Sequence, residues 1–301
     1  MLTPPYLKKG DKVGIVCTAR KVDRDDLEEG IALLEACGLE PVLGKTIGAS
    51  DNQYGGSDAL RAADLQAMLD DEEINAIWCA KGGYGTVRII DEINFYKFIK
   101  YPKWIIGYSD VTVLHSQIHK LGFETIHGVM PVGIGRNTAV AKQTLENAWF
   151  GKPVHYHIES APLNRLGTAK GELVGGNISI LYSLCGSHSA IDTTNKILFL
   201  EDLDEYLYHV DRMMVNLKRN GMLRNIRGLV VGGLTSMHDN STPFGKTAQE
   251  IVMDAVEEYD YPVCFDFPAG HLKDNRALIL GRSASLEVNE RGAKLYFDQL
   301  E

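Results

Sequence analysis

The stretch WIIGYSDVTVLHSQI, residues 104–118, decides how the first half of the chain folds. Trp104–Ile106 is a short apolar run of strand type. Gly107, Tyr108, Ser109 and Asp110 form an abrupt corner, and Val111–Leu121 has helical apolar spacing. A serine where a strand turns sharply into a helix stands at the carboxyl edge of a sheet, beside the backbone N–H groups of the helix start, which favour negative charge. The stretch matches the nucleophile-elbow pattern G-x-S-x-G except at its last position, where Val111 replaces the glycine. On spacing alone, Ser109 reads equally well as a helix N-cap.

Upstream, strand-like and helix-like runs alternate: Lys12–Thr18 (strand), Asp25–Cys37 (helix), Glu40–Leu43 (strand), Ser57–Leu69 (helix), Ala76–Cys79 (strand) and Thr86–Asp91 (helix). Strands separated by helices build βαβ units and a mostly parallel sheet, whose ligands sit at the carboxyl ends of the strands. After strand Ala76–Cys79 comes CAKGGYG, residues 79–85, where glycines let the backbone come close to a ligand. Gly82 or Gly83 could therefore donate to an oxyanion beside the N–H of Asp110. A tight turn explains the same glycines equally well.

From Trp149 to Gly171 the pattern lapses into WFGKPVHYHIESAPLNRLGTAKG, the best candidate for an interdomain crossing. Beyond it, Ile197–Leu200, Leu229–Leu234 and Val263–Phe267 read as strands, separated by helical patterns at Tyr206–Asn220 and Thr247–Glu257. The end alternates like a hairpin turning at Asn289–Gly292. The division expected is 1–150, a crossing over 151–170, and 171–301. NKILFLEDLDE, residues 195–205, brings Glu201 to a strand end, and YPVCFDFPAGH, residues 261–271, is a strand followed by a loop with His271. Serine, carboxylate and histidine in that chain order can build an acyl-transfer triad.

Composition narrows the partners. With 301 residues, 45% hydrophobic and 24% charged, the chain can bury a large core, and a prior of ~150 residues per domain suggests two domains. The balance of 31 basic against 40 acidic residues gives −9, with no basic block, so neither nucleic acid nor a membrane surface is expected as a partner. Cys17, Cys37, Cys79, Cys185 and Cys264 read as reduced, buried thiols. The start shows no apolar signal region of roughly 7–15 residues. No run approaches the ~18 apolar residues of a membrane span. A cytoplasmic protein acting on a small molecule is expected.

Two motifs fail. GKT at 245–247 follows a strand, but the first glycine of a phosphate loop would fall at Asn240. His115 and His119 share a helix face, yet Ser116 stands where a zinc-peptidase motif needs glutamate, and His155 and His157 simply alternate on an extended segment. No metal and no cofactor are expected.

The opening LKKGDKVGIVCTA, then CAKGGYG, IIGYSDVTVLH, GELVGGNISIL, LFLEDLDE with its trailing YHVDRMMVNLKRNG, and FPAGH together resemble the LD-carboxypeptidases, a serine peptidase family that also includes microcin C immunity proteins. The resemblance spans nearly the whole chain. It implies Ser109 as nucleophile with Glu201 and His271 as partners, and a homodimer with the active site at a domain junction. The fold it implies is α/β: an N-terminal, mostly parallel sheet flanked by helices, class I glutamine amidotransferase-like, plus a C-terminal α/β or β-rich domain. The substrate implied is a cytoplasmic murein tetrapeptide that loses its terminal D-Ala in peptidoglycan recycling. Lys81 stands where family members often carry arginine. Lys81, Arg136 and Arg165 are candidates for the terminal carboxylate, and Asn177 for another substrate contact, although Asn177 also reads as a turn residue. An immunity-type hydrolase of peptidyl-nucleotide toxins, and a non-catalytic two-domain binding module, remain as alternatives.

Overall fold

The computed structural model describes residues 1–298. It divides into two compact units: residues 1–152 with 273–279, and residues 153–272 with 280–298.

The first unit contains β1 (Lys12–Val16), α1 (Glu28–Ala36), β2 (Glu40–Leu43), α2 (Asp58–Asp70), β3 (Ile74–Cys79), α3 (Tyr96–Lys100), β4 (Trp104–Gly107), α4 (Thr112–Lys120), β5 (Thr125–His127) and α5 (Ala139–Trp149). Its strands pair in parallel in the order β5-β4-β3-β1-β2. A strand from far along the chain, Leu278–Leu280, completes the sheet beside β5. Trp104, Ile105 and Ile106 are wholly buried, as expected of a parallel strand covered on both faces. Burying each of these isoleucines stabilises by ~1.5–3 kcal/mol, so the strand that ends at Gly107 is a firm mount for the corner beyond it. Ser57 starts α2 by accepting a hydrogen bond from the Leu60 N–H at 3.2 Å.

The second unit contains β6 (His155–Ile158), β7 (Gly167–Asn177), α6 (Ile178–Leu184), β8 (Ile197–Leu203), α7 (Leu207–Arg219), β9 (Gly228–Thr235), α8 (Ala248–Ala255) and β10 (Val263–Cys264). The strand Leu278–Leu280, β11, precedes β12 (Ser283–Asn289) and β13 (Gly292–Phe297). Its seven strands run β10-β9-β8-β7-β12-β13-β6. The half from β10 to β7 is parallel and the half from β7 to β6 antiparallel, so this unit is at once α/β and β-rich. Asn289 pairs with Gly292 across the last hairpin, as its turn residues predict.

Three local expectations differ. Thr86–Asp91 forms two short 3-10 turns, at Thr86–Arg88 and Ile90–Glu92, in place of a helix. The segment 151–170 is more than a crossing: it contributes β6 and the start of β7 to the second sheet. Residues 273–279 return to the first unit, so neither unit is continuous in sequence. Cys17, Cys79 and Cys264 are buried, their thiols pushed up to about 12 by burial, whereas Cys37 and Cys185 are only half-buried.

Candidate active site

Ser109 follows β4 by two residues and opens a 3-10 turn, Ser109–Val111, that runs into α4. Its φ is +65°, the left-handed region that costs a non-glycine residue ~1–2 kcal/mol. No side-chain cap bond is made at this turn, whose N-cap is Tyr108. The helix-cap account of Ser109 therefore fails, and what the structure shows is a strained corner between strand and helix. A Cβ on Gly107 would come within 2.8 Å of Val111 Cγ2, so the strand can turn this tightly only with glycine there.

The glycine loop after β3 lies against this corner. A Cβ on Gly82 would fall 2.9 Å from Ser109 Cβ, 3.1 Å from its Oγ and 3.5 Å from the Asp110 backbone nitrogen. Glycine thus leaves open the space between the loop, the Ser109 hydroxyl and the N–H of Asp110. Two buried side chains pin the loop. Asp110 accepts from the Thr86 N–H at 2.8 Å, and Arg61 donates to the carbonyls of Gly85 at 2.9 Å and Thr18 at 2.5 Å. Burial pushes the Asp110 carboxyl up. Arg61, deep in α2 with no local motif around it, is a supporting residue that sequence reasoning missed.

In the second unit the structure joins Glu201 and His271. Glu201, wholly buried on β8, accepts from His271 twice through Oε2: from the backbone N–H at 3.1 Å and from the ring Nδ1–H at 2.6 Å. Donation from Nδ1 leaves the Nε2 lone pair of the neutral ring as the basic site. Burial draws the His271 pKa down, but the charge and hydrogen bond of Glu201, helped by Asp202, outweigh it and hold it above its ordinary value. A bulge aims Glu201. Leu200 pairs with Val231 and Asp202 with Leu234, so Gly232 and Gly233 together face Glu201.

Asn177 caps α6. Its Oδ1 accepts from Ser179 Oγ at 2.6 Å and the Ile180 N–H at 3.2 Å, and its Nδ2 donates to Asp202 at 2.8 Å. Asp202 also accepts from the Ser179 and Leu203 N–H groups, and burial together with the charge of Glu201 raises its pKa to about 7. Arg165 is committed to the carbonyls of Val256 and Tyr259. Arg136 is exposed and folds over Gly133 in its own loop. Lys81 is half-exposed beside Gly82.

The histidine pairs have ordinary contacts. His115 donates from Nε2 to the Gly107 carbonyl at 2.9 Å and is pushed down to about 4 by burial, while His119 meets Thr125 Oγ1 at 3.1 Å. His155 and His157 lie on β6. No cluster of three or more His, Cys, Asp or Glu fit to hold a metal ion occurs among the described residues.

Two family models match along the chain: the LD-carboxypeptidase N-terminal domain over residues 13–128 and the LD-carboxypeptidase C-terminal domain over residues 170–286. The chain belongs to the LD-carboxypeptidase family. A probable murein peptide carboxypeptidase of Bacillus subtilis is 35% identical, over 96% of this chain and 93% of its own. The murein tetrapeptide carboxypeptidase of Pseudomonas aeruginosa is 28% identical, over 92% of this chain and 94% of its own. Among solved structures, a muramoyltetrapeptide carboxypeptidase from Oxalobacter formigenes superposes with a TM-score of 0.87 at 24% identity, covering 95% of this chain and 98% of that one. A microcin self-immunity protein in complex with aspartyl sulfamoyl adenosine gives 0.87 at 20%, covering 99% of each. At such identities the solved structures carry the fold. This LD-carboxypeptidase is therefore a hydrolase, and the non-catalytic binding module is set aside.

Proposed function

We propose that the enzyme is a serine carboxypeptidase in which Ser109, His271 and Glu201 work as one triad on murein tetrapeptides, releasing the terminal D-Ala in peptidoglycan recycling. The observation that carries the reading is the strained φ of Ser109 at a corner packed against Gly82. His271 Nε2 takes the Ser109 proton as Oγ attacks the scissile carbonyl, and Glu201 orients the ring and stabilises the imidazolium. N–H groups of the Gly82–Gly83 loop and of Asp110 hold the oxyanion; His271 then protonates the departing D-alanine nitrogen, and water hydrolyses the acyl-enzyme. Metal and cofactor have no part in this scheme.

The substrate rests on the relatives named for murein peptides. The same reading makes the enzyme a cytoplasmic homodimer. No helix among the described residues is long and apolar enough to cross a membrane. An immunity-type activity on nucleotide conjugates has no tryptophan platform for a base, because Trp78, Trp104 and Trp149 are all wholly buried, and exposed Tyr84 in the glycine loop is an aromatic side chain that could take that part.

The test is incubation with L-Ala-D-Glu-meso-diaminopimelate-D-Ala, with free D-alanine as readout. Wild-type protein releases it and Ser109→Ala protein does not. A matched peptide ending in L-Ala stays intact, and equal cleavage of the two peptides overturns the substrate assignment.

A further inference from the structure

The carboxyl edge of the first sheet holds a cation that belongs to no sequence motif. Val16 and Cys79 end β1 and β3 side by side, with the Ala80 N–H donating to the Val16 carbonyl at 2.8 Å. Arg20, four residues past the end of β1, is therefore led toward the glycine loop after β3. Its stem lies directly on Gly83. A Cβ built there would come within 2.6–2.7 Å of Arg20 Cγ, Cδ and Nε, and Gly83 holds φ at +109°. The residue before it, Gly82, is the one pressed against Ser109.

We propose that Arg20 is the specificity residue that grips the free carboxylate of the substrate's C-terminal residue. The proposal rests on the carboxypeptidase reading and gives that activity its requirement for an unblocked chain end. In a C-terminal residue the carboxylate lies two bonds beyond the scissile nitrogen. Its partner must therefore sit about one residue's length, ~3.8 Å, past the ground next to the nucleophile. Gly83 is that next residue, and Arg20 rests on it.

The other cations serve less well. Arg61 is buried on backbone carbonyls, Arg88 is paired with Asp58, and Arg165 is held by Val256 and Tyr259. Arg136 packs on its own loop, whose Gly135 N–H is engaged by Glu29. Arg20 is exposed, and among the described residues it has no carboxylate partner. Its planar fork can hold a carboxylate through two parallel N–H···O bonds, which the point charge of Lys81 cannot.

The experiment compares the D-Ala-terminated tetrapeptide with its C-terminal carboxamide. Wild-type protein prefers the free acid. Arg20→Ala raises KM for the acid about 10- to 100-fold while kcat/KM for the carboxamide stays within about 3-fold, and Arg20→Lys recovers part of the loss. Equal losses on both peptides, or none on either, overturn the assignment. The Kd of the two peptides for Ser109→Ala protein, with and without Arg20→Ala, reads the contact without turnover. An Arg20-dependent preference for the acid in binding, with no D-alanine released by wild type, would refute the carboxypeptidase reading and keep the carboxylate site. Release of D-alanine with no Arg20-dependent preference would keep the reading and overturn the site, and so would a free acid that binds Ser109→Ala protein no better than the carboxamide does.

Discussion

Gly270 leaves vacant the space that the carboxylate of Glu201 fills: a Cβ there would lie 2.6 Å from Oε2 and 2.7 Å from Glu201 Cβ, at a φ of +102°. The residue next in sequence is His271, so the glycine lets its ring and the carboxylate meet. Gly270→Ala is expected to cost ~2 kcal/mol or more, from a left-handed backbone and a collision with a wholly buried side chain, and to cut kcat by at least about 100-fold. Denaturant unfolding and D-alanine release read the two effects.

Gly82→Ala separates catalysis from stability. Gly82 has no left-handed φ, so alanine fits its backbone, but the new methyl group intrudes beside Ser109 Oγ. The midpoint of thermal unfolding should move by only a few degrees while kcat falls about 10²- to 10³-fold, the usual cost of a lost oxyanion donor. An alanine variant with unchanged kcat would remove the loop from the oxyanion site.

For Ser109→Ala, folded protein should lose about 10⁴- to 10⁶-fold in turnover with little loss of stability, because no cap bond is broken. His271→Ala should reach a similar floor, and the double variant should lose little more than either single one. Retention of a tenth of wild-type turnover would end the nucleophile assignment.

The elevated His271 pKa sets the pH profile. The base must be neutral, so kcat/KM should fall on acidification with a midpoint above the ordinary ~6.5 of histidine. Glu201→Gln removes the charge that lifts the pKa and leaves burial to lower it, so the midpoint should move down as kcat drops. A raised histidine pKa adds stability that is complete below ~6.5 and lost as pH rises through the folded value. The stability cost of Glu201→Gln should therefore be larger at pH 6 than at pH 9, as paired unfolding curves would show.

Chelation should leave activity unchanged, since serine chemistry needs no metal and His115 is held neutral on the Gly107 carbonyl. Inactivation by EDTA with recovery in zinc would contradict the mechanism.

The parts legible in the sequence were those with local causes. Apolar runs gave β1, β3 and β4, Ser57 marked the start of α2, and Asn289 to Gly292 marked the last turn. The corner at Ser109 was readable from Gly107, but its strain was not, because φ is set by how β4 and α4 meet. The extended run at His155 and His157 was legible, but its place in the second sheet was not, because its pairing with β13 joins residues far apart in the chain. The turns at 86–92 looked helical by spacing, yet Thr86 is tied through its N–H to Asp110, which bends the chain before a helix can propagate. Arg20 lacked any motif, since its importance comes from Gly83, which is remote in sequence and adjacent in space.

Because β11 comes late in the chain, the first sheet stays unfinished for most of synthesis. Strand β5 ends at His127, and its neighbour on the open edge begins only at Leu278. At ~5–20 residues per second the ribosome needs roughly 8–30 s to make the intervening stretch, and throughout that time β5 presents unpaired backbone groups to other nascent chains. Expression yield should therefore depend on chaperone supply and temperature more steeply than the stability of the finished protein does, and a fragment stopped after α5 should aggregate along that edge.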